Sequence, residues 1–195
     1  DSSTSRGLGD VYKRQVWQGV DVLIEAVELL RAQRPVKLRL LGPAARGRRQ
    51  ELERLVARLR AEDCVEFLGP SKQEDVVRLL HDSHVTAAPL LPVDRNVRQG
   101  CCPLKLLEAM AAGCPIVASD LPVVRELATP EEHLVTVRPH DARHLKNALL
   151  RVVETPGLAQ ALSQAARQHV ASHYPWRRAN QELLAVYATV PVSYT

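Results

Sequence analysis

Five short apolar runs, each separated from the next by a helix-patterned stretch, constrain this chain more than any other feature. Val36 to Leu41 is turned by Gly42-Pro43 and Val65 to Leu68 by Gly69-Pro70; further runs follow at Val85 to Ala88, Ile116 to Ala118 and Leu134 to Val137. Between them apolar residues recur at helical spacing: Val20, Leu23, Val27 and Leu30, then Leu52, Leu55, Val56 and Leu59, then a helix around Val76 to Leu80. A short helix around Val123 to Leu127 precedes the last run. Three helices, Ala142 to Glu154, Leu158 to His173 and Pro175 to Tyr187, finish the chain. Such alternation predicts an α/β fold: a Rossmann-like, doubly wound parallel sheet covered by helices. Ligands in such sheets bind beyond the carboxyl ends of the strands, which directs attention to the loop after Ala88.

That loop, Pro89 to Cys102, is long and polar for a plain connection, carrying Asp94, Arg95, Asn96, Arg98 and Gln99. It leads into Gly100 to Asp120, GCCPLKLLEAMAAGCPIVASD. Pro103 suits a first helical position, Leu104, Leu106, Leu107, Ala109, Met110 and Ala111 form a helix apolar on most of its surface, and Gly113-Pro115 ends it. Two polar residues interrupt the apolar face one turn apart, Lys105 and Glu108. A helix start offers unpaired N–H groups and about half a positive charge to an anion. Gly100 lets the backbone approach a ligand, Lys105 adds a full charge for a pyrophosphate, and Glu108 is placed to accept hydrogen bonds from vicinal ribose hydroxyls. The same spacing equally fits a solvated ion pair on a core helix.

PLKLLEAMAAGCPIVASDLPVVREL, Pro103 to Leu127, resembles the donor-site signature of family 4 retaining glycosyltransferases, in the second Rossmann-like domain of the GT-B architecture. The resemblance implies the C-terminal, donor-binding half of such an enzyme. Glu108 then binds the nucleotide ribose. The loop of Gly100, Cys101, Cys102, Pro103 and Leu104 faces the donor sugar and its phosphates through backbone N–H groups. Ser71 and Lys72 fall where relatives contact the nucleobase, and Gln18-Gly19 where relatives carry a phosphate loop with lysine before the glycine. Two departures stand out. The family's usual Glu-x7-Glu pair has its first glutamate replaced by Gly100, and Pro103-Leu104-Lys105 resembles a subset with a Pro-x-Lys form. Glu126 matches the glutamate ending the motif region, and His173-Tyr174-Pro175-Trp176 resembles the segment where the terminal helix crosses to the other domain.

The resemblance also implies a strand with a Gly-Arg-type turn before the helix at Gly19, in the middle of a sheet ordered 3-2-1-4-5-6. No such strand is found before Gly19. Asp10 to Gln15 is encodable by GATGTGTATAAGAGACAG, whose reverse complement reads Val-Ser-Tyr-Thr, the residues Val192 to Thr195. The expected organisation is therefore adapter-like tails at 1–15 and 192–195 around an incomplete donor domain at 16–191. A sheet lacking its central strand is expected to be marginally stable, with Val11-Tyr12 the nearest segment able to stand in as a non-native surrogate.

Composition sets outer limits. With 46% hydrophobic residues in 195, the chain can bury one sizeable core. Net charge is +4, and about +3 without the three basic and two acidic side chains of the first fifteen residues, too mild to argue for nucleic acid. Arg46, Arg48, Arg49, Arg54 and Arg58 form a basic cluster that fits a solvated face and also peripheral contact with anionic lipid or a lipid-linked acceptor. Cys64, Cys101, Cys102 and Cys114 lack C-x-x-C spacing, which argues against zinc and for reduced cytoplasmic thiols. The seven histidines show neither metal-ligand spacing nor triad partners. Without a Gly-x-Gly-x-x-Gly, a dinucleotide oxidoreductase is disfavoured. The expected ligand is a nucleoside diphosphate sugar, with no metal or cofactor. Its acceptor would be a sugar, a lipid-linked compound or another small molecule, and the catalytic residues stay unassigned. A nucleotide-sugar epimerase, or a noncatalytic nucleotide-binding domain in which Gly100 and Gln18 mark decay, fits the same residues.

Overall fold

The computed structural model describes residues 18–189. The chain runs α1 (Val20–Arg31), β1 (Leu38–Leu40), α2 (Arg46–Arg58), β2 (Val65–Phe67), α3 (Gln73–His81), β3 (Thr86–Ala88) and α4 (Asp94–Val97). It continues through α5 (Leu104–Ala112), β4 (Ile116–Ser119), α6 (Pro122–Arg125), β5 (Val135–Val137), α7 (Ala142–Glu154), α8 (Leu158–His173) and α9 (Trp176–Thr189). Each apolar run becomes a parallel strand: Leu38 lies opposite Val65, Thr86 opposite Ile116 and Val117 opposite Val135.

Alternating side chains enter two cores, one on each face of the sheet. Val117, Val135 and Val137 pack with α1, α2 and α7 through Leu23, Ile24, Leu52 and Leu145. Ile116, Ala118 and Leu134 pack with α5, α6 and α8 through Leu106, Met110, Val124 and Ala166. Full burial of a residue such as Leu106 or Ile24 stabilises the fold by about 1.5–3 kcal/mol each. This is the doubly wound arrangement that the alternation predicts.

Three local readings change. Pro103 caps α5 rather than opening it, because its ψ of 81° is not helical, so the helix starts at Leu104. Leu104 itself is 42% exposed, so the helix is less completely buried than its apolar composition implies. The polar loop after β3 also contains a turn of helix, α4, held by the fully buried Asn96, whose Nδ2 donates to the Leu91 carbonyl at 2.8 Å. Gly113 ends α5 as expected, in the left-handed region at φ +71°.

Among the described residues the sheet is interrupted between β1 and β3. In a parallel ladder alternate residues bond to each neighbour. Leu38 N–H donates to the Cys64 carbonyl at 2.7 Å and Leu40 accepts from Leu68 N–H at 2.8 Å, both toward β2. Thr86 N–H donates to the Pro115 carbonyl at 2.8 Å, toward β4. The intervening space is a cavity of about 690 Å³ lined by Leu23, Val27, Leu38, Val85 and Leu149 among others. In a sheet ordered 3-2-1-4-5-6 this is the position of the central strand. The surrogate at Val11-Tyr12 and the two tail segments lie outside the described residues.

Candidate functional site

The polar end of this cavity lies at the carboxyl ends of β1 and β3, where Gln18, Lys105 and Glu108 join its lining. Arg34, Lys37, Arg39, Asp82, Ser83, His84 and Thr86 also line the cavity, among apolar side chains. Three segments build that end, and each is positioned by a local constraint.

The first is the start of α1. Gly19 caps the helix at φ +64°, and a Cβ there would overlap the Pro89 carbonyl oxygen and lie 3.1 Å from Leu91 Cδ2. Glycine is thus required both by conformation and by close packing on the loop after β3. Gln18 is 7% exposed, and its Nε2 has no hydrogen-bond partner among the described residues. Leaving such an amide buried and unpaired costs about 1–3 kcal/mol, so the position favours an acceptor in the site. Asp21, in the first turn, is neutralised by Arg48. Its charge therefore does not cancel the positive end of α1.

The second segment is the start of α5. Gly100 adopts φ +69° with nothing within 4 Å of where a Cβ would sit, so its glycine answers to conformation, and the space beside it is open. The helix start is less open than the sequence implies. Leu104 N–H donates to the Cys102 carbonyl at 3.0 Å and Leu106 N–H to the Pro103 carbonyl at 2.8 Å. Charge on this face therefore comes mainly from Lys105, whose burial lowers its pKa to about 8, partly opposed by the neighbouring Cys101. Lys105 and Glu108 line the same cavity without forming an ion pair with each other. The solvated-pair alternative is not what the structure adopts.

The third segment is the start of α3. Gln73 Nε2 donates to Glu108 Oε1 at 3.5 Å, bringing α3 to α5. Lys72 caps α3, and Ser71 Oγ donates to the Gly69 carbonyl at 3.3 Å; both side chains are exposed, and neither lines the cavity. Gln73 is the polar residue that sequence reasoning passed over. Gln73 opens a helix with no motif to mark it, and only the packing of α3 on α5 reveals its partner.

Elsewhere the expected features sort differently. Within the basic cluster, Arg48 is held by Asp21 and Glu51, while Arg49 pairs with Glu53 at 2.5 Å and lies 4.7 Å over the Phe67 ring. Arg46, Arg54 and Arg58 are exposed. His133, His169 and His173 stack in sequence with centroids 4.2 and 4.4 Å apart, far along the chain from the donor loop. Among the described residues no three His, Cys, Asp or Glu side chains are grouped to hold a metal, and no helix is long and apolar enough to cross a membrane.

The sequence profile described as Glycosyl transferases group 1 matches residues 8–155. The chain belongs to this family. Within it, the chain is similar to a D-inositol 3-phosphate glycosyltransferase of Saccharomonospora viridis, 32% identical over 86% of this chain and 39% of the relative. It is also similar to an MMP alpha-(1->4)-mannosyltransferase of Mycolicibacterium hassiacum, 30% identical over 87% of this chain and 39% of the relative. The chain thus spans about two fifths of the length of these curated relatives. Its fold matches the C-terminal domain of the group 1 protein LpcC from Francisella tularensis at a TM-score of 0.70 and 18% identity, covering 83% of this chain and 82% of that one. It also matches Anabaena Alr3699/HepE, solved in complex with UDP-glucose, at a TM-score of 0.77 and 21% identity, over 91% of this chain and 47% of that one. The architecture is the C-terminal, Rossmann-like half of a GT-B glycosyltransferase.

Proposed function

We propose that this chain is the donor-binding half of a retaining glycosyltransferase that grips a nucleoside diphosphate sugar. The observation that carries the reading is the meeting of the unpartnered Gln18 amide, the Lys105 ammonium and the Glu108 carboxylate at one end of one cavity. The diphosphate lies against Lys105, Gln18 and the start of α1, and the ribose hydroxyls against Glu108. The nucleobase sits toward Ser71 and Lys72, and the sugar faces Gly100 to Leu104.

In the reaction the bond from the anomeric carbon to the diphosphate breaks and negative charge grows on the leaving oxygen. Lys105 and the α1 dipole oppose that charge, and such fixed electrostatics are the largest contribution most active sites make. The donor is already activated, so this reading assigns no metal or cofactor. The acceptor, a sugar, lipid-linked or small-molecule hydroxyl compound, is held by a separate domain. Arg46, Arg54 and Arg58 would face an anionic cytoplasmic membrane surface if the acceptor is lipid-linked.

The test is calorimetric titration of the chain with UDP and GDP. One of them is expected to bind, with Glu108→Ala and Lys105→Met each weakening the affinity about tenfold or more. Binding of neither, or binding indifferent to both substitutions, overturns the reading. Transfer is then assayed with the chain joined to the N-terminal half of a relative, and requires both donor and acceptor.

A further inference from the structure

The donor loop carries a pair of thiols to which the preceding reading gives no work. Cys101 and Cys102 are adjacent, both free, and sit between Gly100 and the Pro103 cap of α5. They differ in setting. Cys102 is exposed, whereas Cys101 is half-buried, packed against the core beneath α5 and close enough to Lys105 for their charges to interact. The other two cysteines are buried and engaged: Cys64 Sγ lies 3.4 Å from the Ala61 carbonyl and Cys114 Sγ lies 3.0 Å from Thr86 Oγ1. Thiol chemistry with a solute is therefore confined to the donor loop.

We propose that Cys101 and Cys102 form a reversible vicinal disulfide that switches the donor site off when oxidised. The proposal rests on the donor-binding reading for its consequence, not for its chemistry. The co-reactant is a low-molecular-weight disulfide such as oxidised glutathione. The exposed Cys102 thiolate attacks one of its sulfurs, forming a mixed disulfide and releasing one glutathione. The adjacent Cys101, as its thiolate, then attacks the Cys102 sulfur, forming the intramolecular bond and releasing the second glutathione. Two protein thiols are oxidised, one disulfide is reduced, and the two protons leave on the two glutathiones.

The division of labour follows the settings. Exposure suits Cys102 to the intermolecular step, although burial, then Cys101 and Glu126, push its thiol above the ordinary value and slow that step. Its place directly beside Cys102, half-buried against the core, suits Cys101 to the intramolecular step. Adjacent Cα atoms lie about 3.8 Å apart across a trans peptide, closer than the roughly 4.4–6.8 Å of ordinary disulfides. Closure therefore needs a local backbone change, and strained or exposed disulfides are the readily reversed kind. The change falls where it matters: the Cys102 carbonyl accepts the Leu104 N–H that begins α5, and Lys105 is the next residue. Gly100, at φ +69° with open space around it, lets the loop rearrange without moving β3.

The experiment treats the full chain with oxidised glutathione, reads the mass of the tryptic segment holding Cys101 and Cys102, and titrates UDP and GDP into reduced and oxidised protein. The expected result is loss of two hydrogens from that segment, recovery with dithiothreitol, and nucleotide affinity roughly tenfold weaker in the oxidised form. Cys101→Ser is expected to stop at a stable glutathione adduct on Cys102. A glutathione adduct that persists on the unsubstituted chain, an intermolecular disulfide, or no reaction overturns the switch, as does ring closure that leaves affinity unchanged. If neither nucleotide binds the reduced protein, the donor reading and with it the switch fail, whereas the mass readout still reports whether the ring forms.

Discussion

Replacing Gly19 with alanine tests how tightly the start of α1 is locked to the loop after β3, and two other glycines supply the reference. Gly157, at φ +78°, has nothing within 4 Å of where a Cβ would sit, and Gly113, at φ +71°, would meet only Arg167 Cδ at 3.9 Å. Alanine at either position incurs the left-handed penalty of about 1–2 kcal/mol. It recovers about 0.4–1 kcal/mol through the less flexible unfolded chain. A net loss of about 0–1.6 kcal/mol is expected for each. Gly19→Ala carries the same terms at φ +64° and adds the overlap with the Pro89 carbonyl, which the backbone must relieve by shifting. Overpacking of that kind costs about 1–3 kcal/mol, so Gly19→Ala is expected to lose about 1–4.6 kcal/mol in all. Urea unfolding followed by circular dichroism measures all three variants, with unchanged m-values showing that the comparison is fair. If Gly19→Ala falls within about 0.5 kcal/mol of Gly157→Ala, the close approach of α1 to Pro89 is not a constraint in solution and the geometry drawn for Gln18 loses its support.

Two pH predictions follow from buried titrating groups. Burial holds Lys105 at a pKa of about 8, below the roughly 10.4 of an unfolded lysine, so the folded chain binds fewer protons between those values and its stability rises with pH across that window. Nucleoside diphosphate affinity should run the opposite way, falling above pH 8 as the cation is lost, and Lys105→Met should flatten both profiles. His133 is held below 6.5 by burial first and by the stacked His169 second, with His173 adding to the effect and Glu132 opposing it. Folded protein then takes up fewer protons than unfolded below pH 6.5, so stability should fall as the medium is acidified. His133→Asn, able to keep an acceptor for the Thr129 N–H now bonded at 3.0 Å, should lessen that fall, as followed by thermal unfolding at pH 5 and 7. An unaltered acid profile would refute the assignment.

Much of the site was legible because its parts are local. Gly100, Lys105, Glu108 and Gly113 lie within one loop and helix, where spacing alone sets which residues share a face. The motif could be read along the chain, and so could the loop that precedes it. What could not be read were the contacts between separate segments. The 3.5 Å bond from Gln73 to Glu108 depends on how α3 leans on α5. The burial of Gln18 depends on Gly19 meeting Pro89. The prior use of the Leu104 and Leu106 N–H groups depends on the ψ of Pro103, which a sequence constrains only loosely.

By itself the sequence determined the order of strands and helices and the parallel sense of the sheet. Those follow from periodicity, turn residues and the handedness of crossovers, all short-range properties of the chain. Only the tertiary structure decided that the described strands divide into two sheets that share the lining of a cavity of about 690 Å³, and that Lys105 lines that cavity with a lowered pKa rather than pairing with Glu108. Burial and electrostatic environment are sums over neighbours from distant parts of the chain. They take definite values only once α1, α3 and α5 have been brought together.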